Sequence, residues 1–259
     1  CMSTTAAEPH TFEGYRRSDG RVGVRNHLAL VSTVALANRI VELAAASYAA
    51  RREAVDPPAL LVHGEFQRGL QAPDAQRLEQ VLERLVTHPN VGAAVVLCHD
   101  RRTAQAWQAR LQGCGKPGEV LAVMESLGVQ RAIDRTADAL ARAAVALRGA
   151  RRVACPLSAL TYALECGGSD ASSAICANPA IGRYVDEVVQ QGARVIVSET
   201  AEFIGGEAVV RAQSQSPQVA DAILRCIAAT EARMAGDGDH YRGVNPTAAP
   251  SNRRALFVY

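Results

Sequence analysis

Short apolar runs recur along this chain at intervals a helix can fill, and that alternation restricts the fold more than any other feature. His27–Val34 is a continuous apolar run of strand length, residues 36–51 place apolar side chains at helical spacing, and 59–62 is strand-like again. The pattern continues with a helix over 74–88, a strand over 92–98, a helix over 101–112, a strand over 119–124 and a long helix over 130–148. Strands this short and apolar need cover on both faces, which parallel sheets receive from their crossover helices. The spacing therefore predicts an α/β protein of two Rossmann-like lobes, with mostly parallel sheets and flanking helices. The basic, glycine-bearing segment Arg148-Gly149-Ala150-Arg151-Arg152 marks the boundary, giving an amino-terminal lobe over 1–150 and a second over 151–259. The second lobe reads as a strand over 159–164, a helix over 179–191, a strand over 194–198 and helices over 205–212 and 216–234. Residues 1–13 read as a polar lead, and Gly, Asp, Pro and Asn make the chain irregular from Ala235 onward.

Charge and composition exclude several classes of function. Lys and Arg number 28 against 26 Asp and Glu, so a net charge of +2 gives no broad footprint for nucleic acid or an anionic membrane. Aromatic content of 4% supplies few platforms for stacking bases. No run reaches the roughly 18 apolar residues of a membrane span, and the start lacks a secretory signal, so the sequence reads as cytoplasmic. The 7 cysteines are odd in number and scattered among apolar neighbours, which suits reduced thiols rather than a disulfide framework.

The residues that carry chemistry fall where strands end. Glu165-Cys166-Gly167-Gly168-Ser169-Asp170 follows the strand at 159–164, and places a thiol, a hydroxyl and a carboxylate on a glycine-loosened turn. Asn178-Pro179 and Ser198-Glu199-Thr200 follow, the latter again at a carboxyl-terminal strand end, where Glu199 is a candidate base or acid. His63-Gly64 and Cys98-His99-Asp100 close the second and third strands of the first lobe. Imidazole, thiolate and carboxylate are ligand types for zinc or ferrous iron, although a satisfied turn histidine and a small buried cysteine account for the same residues. Ahead of the first strand, Gly14–Asn26 holds four arginines and three glycines, which reads either as a solvated loop or as a structured loop facing an anion. On this topology thiol, imidazole, guanidinium and acid groups are expected to gather in a single cleft.

Read together, Gly14-Tyr15-x-Arg17-x-Asp19-Gly20-Arg21-x-Gly23-x-Arg25-Asn26, the Cys166–Asp170 loop, Ala177-Asn178-Pro179-Ala180-x-Gly182 and Ser198-Glu199-Thr200-x-Glu202-x-x-Gly205-x-Glu207 resemble the altronate dehydratase and galactarate dehydratase family, which also includes the large subunit of sulfolactate sulfo-lyase. The resemblance covers roughly residues 12–212. It implies a lyase that eliminates water from a sugar acid or related hydroxy acid to give a 2-keto acid, usually with Fe2+. Eliminating next to a carboxylate builds an enediolate, so such a site needs a cation, a base and an acid for the leaving group. On this reading Asp170 and Glu199 are the proton carriers. Arg21, Arg25, Asn26, Ser169, Asn178 and Thr200 bind substrate, and Cys166, His63 and Cys98 are the metal ligands. The resemblance also implies a small β-rich partner subunit carrying a His-Lys motif, and homo-oligomerisation. Two alternatives stand beside dehydration: sulfolactate-type carbon–sulfur cleavage, and a catalytically silent ligand-binding or scaffold relative. The silent reading draws on Gln67, which stands where relatives have a thiol, and on the family's carboxyl-terminal portion falling beyond Tyr259.

Overall fold

A computed structural model describes residues 10–51, 60–64, 74–165, 167–168 and 171–234. The chain is α/β and its described residues divide into two compact units, one spanning Thr11–Cys155 and the other built on the residues from Pro156 onward.

The first unit is built on a four-stranded parallel sheet. Its strands are β3 (His27–Ser32), β4 (Leu60–Val62), β5 (Val91–Cys98) and β6 (Gly118–Ala122), in spatial order β4-β3-β5-β6. β5 is apolar throughout and wholly buried, as a central parallel strand covered on both faces must be. Helices α1 (Asn38–Ala49) and α4 (Val129–Arg148) pack over one face, where Leu30, Val95 and Leu97 meet Val41, Tyr48 and Leu140. Helices α2 (Ala75–Thr87) and α3 (Arg101–Gly113) cover the other, around Val31, Val96, Leu82 and Trp107. Each strand's side chains alternate between two cores, which explains the uninterrupted apolar runs.

A second, three-stranded sheet was not foreseen. The end of the expected polar lead, residues 11–13, belongs to strand β1 (Thr11–Arg16), which pairs antiparallel with β2 (Val22–Gly23), Tyr15 opposite Gly23. Strand β7 (Val153–Pro156) lies on the far side of β1. The turn between β1 and β2 is closed by Arg17 N–H to Arg21 O at 2.9 Å, with Gly20 at φ 81°.

In the second unit β8 (Thr161–Leu164) and β9 (Arg194–Val197) pair in parallel, Leu164 opposite Val197. Helix α5 (Asn178–Gln190) forms the crossover, with Pro179 in its first turn, where a missing N–H costs nothing. Helices α6 (Glu207–Gln213) and α7 (Pro217–Met234) enclose a small core of Ile204, Val210 and Ile227. The expected strand at 159–164 was to be buried, but β8 is only half-covered. Among the described residues no helix is long and apolar enough to cross a membrane.

Candidate functional site

The carboxyl-terminal edge of the first unit's sheet is sutured by one amide. Asn38, the first residue of α1, accepts from Gly64 N–H at 2.9 Å and donates to Gly64 O at 3.0 Å, while Ser32 Oγ lies 2.7 Å from Asn38 Oδ1. Gly64 is required there, because a Cβ would collide with the backbone of Thr33 and Val34. The result fixes the ends of β3 and β4 together and sets His63 on the surface, with its Nε2 3.4 Å from Glu42 Oε1 and Arg39 on the other carboxylate oxygen at 2.8 Å. Neither Asn38 nor Glu42 stood out in the sequence. An amide opening a helix is the only signal, and it points to capping rather than to a bridge between strands.

Cys98 ends β5 at the same edge but belongs to the core. It is wholly buried beside Val96 and Trp107, and burial pushes its thiol up to about 11. A closed, neutral thiol packs here as a small hydrophobe. Asp100 is occupied as the cap of α3, where the N–H and hydroxyl of Thr103 hold its carboxyl below the usual range. Among the described residues no three His, Cys, Asp or Glu side chains converge to hold a metal.

The arginine loop sits at the other end of the strands. Arg25 and Asn26 immediately precede β3, and Arg21 Nη2 donates at 2.7 Å to the carbonyl of Thr87, just before β5 begins. His63 and Cys98 lie at the carboxyl-terminal end, roughly 15–20 Å away along a strand of this length. Within this unit the guanidinium groups therefore do not share an edge with His63 and Cys98. The stretch read as a loop in sequence is instead the β1–β2 hairpin, and it doubles back over the strands' amino ends.

In the second unit the motifs do meet at one edge. β8 and β9 end side by side, so the glycine loop after Leu164 neighbours Ser198, whose N–H and Oγ both reach Leu164 O, at 3.1 and 2.7 Å. Glu199 comes next, in the left-handed region at φ 59°, ψ 55° and exposed to solvent. A non-glycine residue held there stores of order 1–2 kcal/mol of backbone strain. Thr200 opens the short helical turn that follows. On the β8 side Ser173 Oγ donates to Gly168 O at 2.7 Å, and a turn of π-helix over Ser173–Ala177 leads into Asn178. Such turns interrupt regular helix at the cost of its best hydrogen bonds and occur often beside functional sites. Cys166, Ser169, Asp170 and Gln67 lie outside the described residues.

Two family models match in the order of the two units. One described as "D-galactarate dehydratase/Altronate hydrolase, second domain" covers residues 14–148. One described as "D-galactarate/Altronate dehydratase, C-terminal" covers residues 157–254. The chain belongs to the galactarate/altronate dehydratase family. Within that family it is 30% identical to an altronate dehydratase of Bacillus subtilis over 225 residues, 85% of this chain and 45% of the relative. It is 32% identical to an altronate dehydratase of Escherichia coli over 74% of this chain and 39% of the relative. It is 28% identical to the (2R)-sulfolactate sulfo-lyase subunit beta of Chromohalobacter salexigens, over 81% of this chain and 51% of the relative. The chain thus spans about half the length of the curated relatives it matches.

Proposed function

We propose that this chain is the large part of a hydro-lyase that removes water from a sugar acid, of the altronate or galactarate type, to give a 2-keto acid. The observation that carries the reading is Glu199, a carboxylate held in a strained backbone conformation at the carboxyl-terminal edge of β9, beside the glycine loop. Strain of this kind persists only where surrounding structure over-determines it, and here the carbonyl of Glu199 accepts from Glu202 N–H at 2.9 Å while its side chain is left at the surface. In elimination the C–H bond next to the carboxylate breaks, Glu199 takes the proton, and the electron pair left on carbon expels the hydroxyl group. Asp170 is the counterpart that returns a proton to that hydroxyl, so that water departs. Asn178 and Thr200, at the same edge, bind the substrate's hydroxyls, together with Ser169.

Ferrous iron is part of the proposal on the strength of the family resemblance. The described residues do not by themselves fit it, since Cys98 is closed and no three donors converge. His63 and Cys166 remain candidate donors, and no step above passes through iron. The match to a protein named as a sulfo-lyase subunit supports two further points. The chain works with a second, small subunit, and carbon–sulfur cleavage is the alternative chemistry, since sulfite is expelled from the same position by the same charge flow. The test is anaerobic purification with Fe2+, alone and with the polypeptide encoded beside it, followed by measurement of 2-keto acid from altronate, galactarate and sulfolactate. Turnover of either sugar acid supports dehydration. Release of sulfite alone replaces it with the second reading, and no product in any combination sinks both.

A further inference from the structure

The amino-terminal edge of the first unit gathers more positive charge than the chain's balance suggests. Arg17 donates through Nε to Pro89 O at 2.7 Å and through Nη2 to Arg25 O at 2.9 Å. Lys116 donates through Nζ to the carbonyls of His88, at 3.1 Å, and Val91. Arg152 reaches Glu13 O at 2.7 Å and Val24 O at 3.2 Å, and its guanidinium stacks on the Tyr15 ring at 4.9 Å, while that of Arg17 lies 5.5 Å from the same ring. Arg151 joins the edge through Arg148 O at 3.2 Å, and Arg25 has only a 3.4 Å contact to its neighbour's carbonyl.

These cations are held by backbone carbonyls, not by acids. Among the described residues Arg21, with Asp19 at 2.7 Å, is the one member of the group in an ion pair. Repulsion is therefore left standing. Burial and the charges of Arg17 and Arg21 hold the Lys116 ammonium down to about 8, and burial together with Arg21 and Lys116 lowers His88. Carbonyl-anchored guanidinium groups also lose little side-chain freedom when a further acceptor arrives, and their fork matches a carboxylate.

We infer that this edge is a docking face for an acidic segment of a partner polypeptide, whose carboxylates pair with Arg25, Arg151, Arg152 and the outer side of Arg21. A polypeptide fits better than a small anion because the cations are spread over the β1–β2 hairpin, the α3–β6 loop and the approach to β7 rather than focused on one point. A carboxylate chain fits better than nucleic acid because Tyr15, the aromatic ring of this face, is already taken between two guanidinium groups and cannot stack a base. The inference does not depend on the lyase chemistry, since it concerns the opposite end of the strands from His63.

The test uses poly-L-glutamate as the probe. Wild type should bind it at low salt with an affinity that falls as NaCl rises, and the double variant Arg25→Glu/Arg151→Glu should bind at least about tenfold more weakly, because two exposed attractions become repulsions. Both side chains are exposed and make only local carbonyl contacts, so circular dichroism and melting should match wild type. Equal binding by the double variant would overturn the inference. So would inorganic phosphate binding as tightly as poly-L-glutamate, which would mark a small-anion site, or a DNA duplex of equal charge binding more tightly. Any of these outcomes leaves sugar-acid turnover to be judged on its own assay.

Discussion

Arg17 Nη1 donates to Asn26 Oδ1 at 2.9 Å, which ties the turn of the β1–β2 hairpin to the residue that leads into the central sheet. The same planar guanidinium also serves the carbonyls of Pro89 and Arg25, so one side chain joins three segments. Lysine cannot reproduce that fork. Arg17→Lys is expected to cost about 2 kcal/mol, the order of one to two charge-assisted hydrogen bonds at a half-buried site. Urea unfolding followed by the fluorescence of Trp107, the one tryptophan of the chain and buried in this unit, measures it.

Leu127 is 78% exposed and adopts φ 55°, a left-handed conformation in which a leucine side chain gains nothing. Leu127→Gly should stabilise the first unit by roughly 0.5–1 kcal/mol, the relieved strain less the entropy glycine adds to the unfolded chain. Leu127→Ala keeps a Cβ and should give no gain. Comparing the two in the same denaturation experiment separates strain from exposure.

Lys116 gives a pH dependence of definite sign. Its folded value is lowered from 10.5 to about 8, so between those values the unfolded chain binds more protons, and stability contributed by this group rises with pH. Below pH 8 the penalty of holding a buried cation near Arg17 is fully present. Lys116→Met removes the ionisation, and the difference in unfolding free energy between wild type and variant should shift in favour of wild type as pH rises from 8 to 10. A pH-independent difference would contradict the arrangement.

Cys98 should behave as core. In the native protein a thiol reagent should label the exposed Cys176 and Cys226 and leave Cys98 unmodified until denaturant is added. Cys98→Ala should cost about 1–2 kcal/mol through the small cavity it leaves, without changing iron content. Peptide mapping after labelling and elemental analysis after anaerobic purification report the two halves of this expectation.

Sequence patterning revealed the first unit's central sheet well because β5 is buried on both faces and its run Val91–Cys98 admits no other reading. It failed at Thr11–Arg16, the middle strand of a small sheet, whose mostly exposed and half-covered side chains alternate too weakly to register. Strand ends were legible, and so Glu199 and the glycine loop were found together. Which end of a sheet a preceding loop caps was not legible, because that depends on the hairpin's return path. Arg21 and Arg25 were for that reason grouped with His63, from which the length of β3 separates them. Asn38 escaped notice because its task, joining two strand ends, leaves no periodic trace.

The central claim is that Glu199 is kept in its strained conformation for chemistry. The direct measurement is turnover of altronate and galactarate by wild type and Glu199→Gly, assembled with the same partner and metal, alongside their unfolding free energies. Glycine accepts φ 59° without strain, so the variant should be folded and no less stable, yet lose at least about a hundredfold in 2-keto acid formation, the scale of a missing general base. A folded Glu199→Gly variant that turns over substrate as fast as wild type would contradict the account.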